Sequence, residues 1–392
     1  MRIGIDVRYL SHGLTGGVHT YLFHLIPALL QQAAGHELVL YADTKRPFEL
    51  PDLPPYVTLR LLPYSGSWSS LLNDLLVLRR TAAQDRLDVL HFPANYGFAP
   101  AGARSVVTLH DVINLLPLAE IIRGHSKDAR TIAAMTYLHI CSLASLRRAD
   151  LVLTVSEHAR REIARAGSYE LDRIVAVPHA PTPDLHRVDD PNTLAVVRAR
   201  YGLQQPFVLA DGLKNPAVLV RAWALLSEDL RNAHRLIFFA RREPPAVVRQ
   251  AEALGIARVL INPPRADLVV LYSMAAAFVF PSWIEGFGLP LLEAMTCGAP
   301  IVASDRGAIP EVVGDAGLLA DAEDDVTLAR HLRTVLESAA AAAQLRERGF
   351  ARASQFSWRS NARQVLDLYS QLQRTHKARI DKIETVGKAP NS

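Results

Sequence analysis

The chain has 392 residues, 49% of them hydrophobic and 21% charged, with a formal net charge of +4. That length holds two domains of ordinary size, each with a core of its own. The charge is too small and the basic residues too scattered for a nucleic-acid partner. The two cysteines, Cys141 and Cys297, exclude a disulfide framework and point to a reducing compartment.

The opening residues 3–7 read as a strand rather than a secretory leader. A helix over 18–32 follows, with Pro27 expected to kink it. Further strands are predicted at 37–41, 57–62, 87–91, 105–110, 151–155 and 174–177, with helices at 65–81, 127–148 and 157–166 between them. Residues 178–205 break the rhythm with Pro178, Pro181, Pro183 and Pro191. They read as a linker, with a short helix over 192–200 inside it. The alternation restarts with strands at 207–210, 235–239, 258–261, 277–280, 301–303 and 317–319. Helices at 216–226, 245–254, 267–275, 289–297 and 326–338 accompany them.

Strands alternating with helices predict parallel sheets. The reading is α/β, with two Rossmann-like, doubly wound domains over 1–185 and 186–356. A helix over 357–373 follows, then a disordered polar tail over 374–392. Ligands in such sheets bind beyond the carboxyl ends of the strands, so a cleft between the domains is the expected site. The longest apolar run, 268–281, is too short to span a bilayer. A cytoplasmic protein is expected. The helix over 131–148, with Arg130, Arg147 and Arg148 near its ends, could touch an anionic membrane surface, peripherally at its inner face. A core element with solvated ends is the more ordinary account.

The segment from Pro281 to Glu293 carries the strongest chemical signal. Strand, glycine turn (Gly286, Phe287, Gly288) and a helix start at Leu289 and Pro290 form the geometry that holds a phosphate on backbone N–H groups. Glu285 and Glu293, eight positions apart, would repel a phosphate and so suit hydroxyl groups. A ligand with phosphates and many hydroxyls is a nucleotide sugar. The plain alternative is a favourable acid near a helix N-terminus plus an exposed loop acid.

Gly16 and Gly17 open the first helix and would let a diphosphate approach closely, unless they are only a flexible loop. His110 closes a first-half strand and could donate to a sugar hydroxyl, or be a buried structural histidine. His91, His12, His19, His158 and His179 are weaker candidates. Lys214, in the loop after the first strand of the second half, could neutralise diphosphate charge. Arg241 and Arg242 could do the same, or simply end a strand. The nucleotide base is expected near Arg241, Ile261 and Asn262. No metal site, no Gly-x-Ser-x-Gly and no Gly-x-Gly-x-x-Gly after strand one is present, so metal, serine-hydrolase and nicotinamide readings find no support.

Residues 278–282, 285–295, 297–304 and 309–316 carry a family resemblance, echoed at Thr15-Gly16-Gly17, Thr108-Leu109-His110-Asp111 and Thr154-Val155-Ser156-Glu157. Over residues 1 to about 370 the chain resembles the retaining glycosyltransferases of family 4, which have the GT-B fold. More loosely, it resembles their mannosyl- and rhamnosyltransferases of surface polysaccharides. The resemblance implies a nucleoside-diphosphate sugar donor, with GDP-mannose favoured, and no cofactor or required metal. The implied acceptor is a glycan, a lipid-linked molecule or a small molecule. It also implies Glu285 on the donor sugar and Glu293 on the ribose. The amides of Phe287 to Leu289 would meet phosphate or sugar oxygens, Gly16 and Gly17 the diphosphate, and His110 the transferred sugar. The final helix would cross back to the first domain. One departure stands out: the loop carrying the family's Arg–Lys pair is shortened to Asp211-Gly212-Leu213-Lys214-Asn215, with Leu213 where a basic residue is usual. A weakened, nucleotide-binding scaffold in a glycan-assembly complex is therefore the rival reading.

Overall fold

A computed structural model describes residues 1–11, 16–45, 53–123 and 127–387, with the backbone alone at 67–68 and 376–387. The candidate His12 and the Thr15 of the glycine echo lie outside the described residues. The chain forms two units, residues 1–178 with 358–392, and residues 179–357.

The first unit carries β1 (Arg2–Asp6), β2 (Glu37–Asp43), β3 (Val57–Leu62), β4 (Val89–Phe92), β5 (Arg104–Thr108), β6 (Leu151–Thr154) and β7 (Ile174–Ala176). The seven strands are ordered β3-β2-β1-β4-β5-β6-β7, and every pairing is parallel. Ile3 and Ile5 of β1 and Leu38 to Ala42 of β2 are buried without interruption. A parallel sheet covered by helices on both faces has this signature, because neither side of the strand meets water.

The Trp358–Gly387 helix packs on the Gly17–Leu30 helix. Trp358 lies over Tyr21 and His24 with ring centroids 6.0 and 5.4 Å apart. Asn361 Nδ2 donates to the Pro178 carbonyl at 2.7 Å and Gln373 Nε2 to Asp88 Oδ1 at 2.6 Å. The final helix is thus an integral part of the first unit. Its backbone continues to Gly387 rather than stopping at Gln373. No proline or glycine interrupts residues 374–386, and alanine, lysine and arginine among them favour helix.

The second unit carries β8 (Phe207–Asp211), β9 (Arg235–Ala240), β10 (Ala257–Ile261), β11 (Ala277–Phe280), β12 (Ile301–Ser304) and β13 (Gly317–Ala320). They are ordered β10-β9-β8-β11-β12-β13, again all parallel. Val208, Ala210, Leu236, Phe238, Val279 and Val302 meet Leu219, Trp223, Leu328 and Leu332 in one core cluster.

The structure differs from the sequence reading at three further points. The proline-rich stretch read as a linker belongs mostly to the second unit, which begins at His179 rather than at 186. Its helix, Pro191–Tyr201, starts on Pro191 with Asp190 accepting from the Thr193 N–H at 2.8 Å. It is held by Arg200 and Tyr201, both 2.6 Å from the buried Asp267. The first-unit helix read as 65–81 is Ser67–Leu72 and Leu78–Gln84, separated by a π-helical turn at Asn73–Val77. Finally β5 stops at Thr108, so His110 sits two residues beyond the strand. The Gly17–Leu30 helix runs on through Pro27.

Candidate functional site

In a doubly wound sheet the strand order reverses once, and a crevice opens at the carboxyl ends of the two strands flanking that point. In the second unit those strands are β8 and β11. Beyond β8 the chain turns through Gly212 and Leu213 to Lys214, and beyond β11 it runs through Pro281 and Ser282 to Glu285. The two side chains meet there: Lys214 Nζ lies 2.6 Å from Glu285 Oε1. The lysine side chain is 36% exposed and the glutamate 13%, so the pair is held by the protein yet reachable.

The surrounding bonds fix this geometry. Ser282 Oγ donates to Glu285 Oε1 at 2.9 Å, and Ser304 Oγ holds the Ser282 carbonyl at 2.6 Å. Asn215, in the left-handed region at φ 48°, donates from Nδ2 to the carbonyls of Pro281 (3.0 Å) and Ala322 (2.7 Å). The backbone of Glu285 rests on Gly307, where a Cβ would stand 2.7 Å from the Glu285 carbonyl oxygen. Only glycine fits this contact, and the positive φ of 61° at Gly307 favours glycine too. The Lys214 ammonium also lies 5.9 Å from the centre of the Phe280 ring.

Below the pair, the buried Asp211 accepts the Leu213 N–H at 2.9 Å. Burial pushes its carboxyl up, against the pull of that N–H and of the positive Lys214 and Arg241. Arg241 and Arg242 are exposed just beyond β9. Ile261 pairs with Ala240 across β10 and β9, and the Asn262 N–H donates to the Ala240 carbonyl at 2.7 Å. Arg241, Ile261 and Asn262 therefore share one strand-end edge, and the Ile261 side chain is 57% exposed there.

Phe287 is buried, its ring 5.3 Å from that of His179 and 6.0 Å from that of Phe356. Its side chain is thus a packing element, which leaves the backbone for any ligand. Gly288, at φ 102°, leads into the Leu289–Thr296 helix. The first N–H groups of a helix have no partner within it. Glu293 lies one turn inside, only 6% exposed. Both of its oxygens are taken by Arg265: Nη1 to Oε2 at 2.7 Å and Nη2 to Oε1 at 2.5 Å. Arg265 Nη2 also donates to Thr182 Oγ1 at 2.9 Å.

The first unit treats its candidates differently. Gly16 has φ 154°, and among the described residues a Cβ on Gly16 or Gly17 would meet nothing within 4 Å at the start of the Gly17–Leu30 helix. The His110 Nε2–H donates to the Pro93 carbonyl at 2.8 Å and its backbone N–H to Asn95 Oδ1 at 3.0 Å. Burial pushes its pKa down to about 4. A carbonyl can only accept, so the ring is neutral with its proton on Nε2. Its Nε2–H is thus committed to the Pro93 carbonyl, and Nδ1 is the accepting nitrogen. His91 is wholly buried, bonded to Thr108 Oγ1 at 2.7 Å and to the Tyr369 hydroxyl at 2.6 Å, with its pKa pushed down to about 3 by burial and by His110. It is a pin between β4 and the final helix. His19 stacks on Phe23 at 5.9 Å, and His158 lies in the first turn of the Glu157–Gly167 helix.

Sequence reasoning missed Asp211 as a charged support, Arg265 altogether, and one network in the first unit. There the buried Arg8 bridges Asp6 (2.6 Å) and Asp74 (2.8 Å), and Asp74 also accepts from Tyr96 (2.9 Å) and Tyr137 (2.7 Å). Pairs 28 and 66 residues apart leave no local pattern; only the buried acid itself, which must find a partner, could have prompted the search. Among the described residues no group of three or more His, Cys, Asp or Glu is placed to hold a metal ion. No helix among them is long and apolar enough to cross a membrane.

Comparison with known proteins matches residues 15–184 to the profile "Glycosyltransferase Family 4" and residues 208–338 to "Glycosyl transferases group 1". An O-antigen chain mannosyltransferase B from Escherichia coli is 35% identical over 300 residues, 74% of this chain and 76% of that protein. Sucrose-phosphate synthase from Thermosynechococcus elongatus superposes with a TM-score of 0.69 at 22% identity, covering 95% of this chain and 99% of the other. Anabaena HepE in complex with UDP-glucose gives 0.66 at 18% identity, covering 95% and 100%. These structural likenesses establish the fold of two Rossmann-like domains known as GT-B.

Proposed function

Since the chain belongs to glycosyltransferase family 4, we propose that it moves a hexose, mannose from GDP-mannose, onto a glycan or lipid-linked acceptor with retention of configuration and without a metal ion. The observation that carries this reading is the Lys214–Glu285 pair, held at 2.6 Å at the β8/β11 switch point. Mannose is favoured by the relative named as an O-antigen chain mannosyltransferase.

The chemistry asked of the site is electrostatic. As the bond from the sugar C1 to the diphosphate oxygen breaks, its electron pair stays on the diphosphate. A positive group fixed in advance beside that oxygen lowers the barrier because no reorganisation is needed during reaction. Lys214 has three N–H donors, of which Glu285 engages one, so it can serve the leaving group and remain tied. Arg241 adds charge on the same side of the sheet. Glu285 accepts from sugar hydroxyls and orients the ring, Glu293 accepts from the ribose, and the amides at Phe287 to Leu289 meet phosphate oxygens. The acceptor hydroxyl attacks C1 on the face the diphosphate leaves, and its proton passes to a donor phosphate oxygen. We assign acceptor selection to the strand ends of the first unit, near His110.

A lipid-linked acceptor implies a cytoplasmic protein working at the inner face of a membrane. The Ala129–Arg148 helix, with Ile140 58% exposed and Arg147 and Arg148 at its end, suits such a contact. The test is a panel of GDP, UDP, ADP and dTDP sugars, read by thermal shift and by released diphosphate. Stabilisation and turnover with GDP-mannose support the proposal. Binding without turnover on any acceptor would mean a nucleotide-binding scaffold instead.

A further inference from the structure

Arg265 is the group the proposed function leaves unused. It is the first residue of the Arg265–Met274 helix, directly after Pro263 and Pro264. A cation at that end of a helix opposes the helix dipole, so the helix gains nothing from it. Its partner is Glu293, and the contact is two-pronged, 2.7 and 2.5 Å, with Thr182 Oγ1 bracing the guanidinium at 2.9 Å. The carboxylate is buried while the arginine side chain is 44% exposed. The pair therefore lies at the surface with the acid on its inner side.

A forked contact does more than neutralise. Two parallel N–H···O bonds fix the plane of the carboxylate, which a lysine's point charge cannot do. An ionised carboxylate has about four acceptor positions. Arg265 fills one on each oxygen and leaves one on each, on opposite flanks of the carboxylate and fixed in direction. A single acceptor held in a fixed direction can select for a hydroxyl at one position of a five-membered ring.

We propose that Arg265 is a positioning residue that sets the orientation of Glu293 and thereby gives the protein its preference for ribonucleotides over deoxyribonucleotides. This rests on the reading of Glu293 as the ribose contact. Losing Arg265 would let the carboxylate rotate, and the ribose 2′-hydroxyl would lose its fixed acceptor while phosphate and base contacts stayed.

Isothermal titration with GDP and UDP, each beside its 2′-deoxy counterpart, tests the idea in wild type, Arg265→Ala, Arg265→Lys and Glu293→Ala. Circular dichroism melting of each variant reports the fold. Wild type is expected to favour the ribonucleotide by about tenfold, the value of one good hydrogen bond to a charged group. Both Arg265 variants are expected to drop below about threefold, although Arg265→Lys keeps the charge and the fold. An Arg265→Lys or Arg265→Ala protein that keeps the wild-type preference would overturn the inference, and so would equal weakening toward both sugars. If wild type itself binds ribo- and deoxyribonucleotides alike, or neither, the assignment of Glu293 fails with it. That result is distinguishable because it appears before any substitution at Arg265.

Discussion

The two sheets end their central strands with opposite electrostatic treatments. At the β8/β11 point, Lys214 and Glu285 form an ion pair that water can still reach, and nearby Arg265 and Glu293 form another. At the corresponding β1/β4 point of the first unit, Asp6, Arg8, Asp74, Tyr96 and Tyr137 satisfy one another, and burial with Asp74 holds both phenols above their usual range. The neighbouring His91 and His110 are kept neutral by burial. One strand order thus supports two kinds of site. The second unit keeps charges that can act on a developing anion, and the first builds a polar core in which Arg8, Asp6 and Asp74 are paired with one another.

If that contrast is right, substitutions in the second unit should strike turnover and those in the first should strike stability. The largest effect is expected for Glu285→Ala, which should abolish detectable transfer with the far-ultraviolet spectrum unchanged. Lys214→Ala should lower kcat by about two to three orders of magnitude, the cost of removing one preorganised charge. A loss confined to KM would break the division of labour. His91→Ala should cost about 2–4 kcal/mol in denaturant unfolding, because it opens a cavity and leaves Thr108 and Tyr369 without their shared partner.

The acid dependence sharpens the same point. The folded pKa values of His91 and His110 lie below that of an unfolded histidine, about 6.5. Between about pH 6.5 and 4 the unfolded chain therefore binds more protons than the folded one, and stability falls as pH falls. The slope approaches about 1.4 kcal/mol per pH unit for each histidine, and His91→Ala should flatten it. Above pH 7 the two histidines contribute no slope. The smallest effect is expected for Arg242→Ala, with turnover within about twofold of wild type, as for a solvated surface charge.

Much of this was readable from the chain. Strands around Ile3, Phe207 and Phe278 alternating with helices predicted parallel sheets, which the structure has. The glycine turn between Glu285 and Glu293 marked a candidate site, and the segment does lie between β11 and a helix start. What escaped was everything that depends on distant partners. Glu293 shows as an acid one turn into a helix, but its partner Arg265 lies in a different helix. His91 and Tyr369 meet 278 positions apart. His110 was recognisable as a strand-end histidine, yet its role depends on the Pro93 carbonyl, which no side-chain pattern encodes. Local chemistry was legible, and the commitments made across the fold were not.

The most direct test of the central claim compares binding of bare GDP and of GDP-mannose to Glu285→Ala. If Glu285 orients the sugar while Lys214 serves the diphosphate, this variant binds GDP at least as well as wild type, since the lysine loses its competing partner, and loses the added affinity for GDP-mannose. An equal loss of affinity for both ligands would contradict the account.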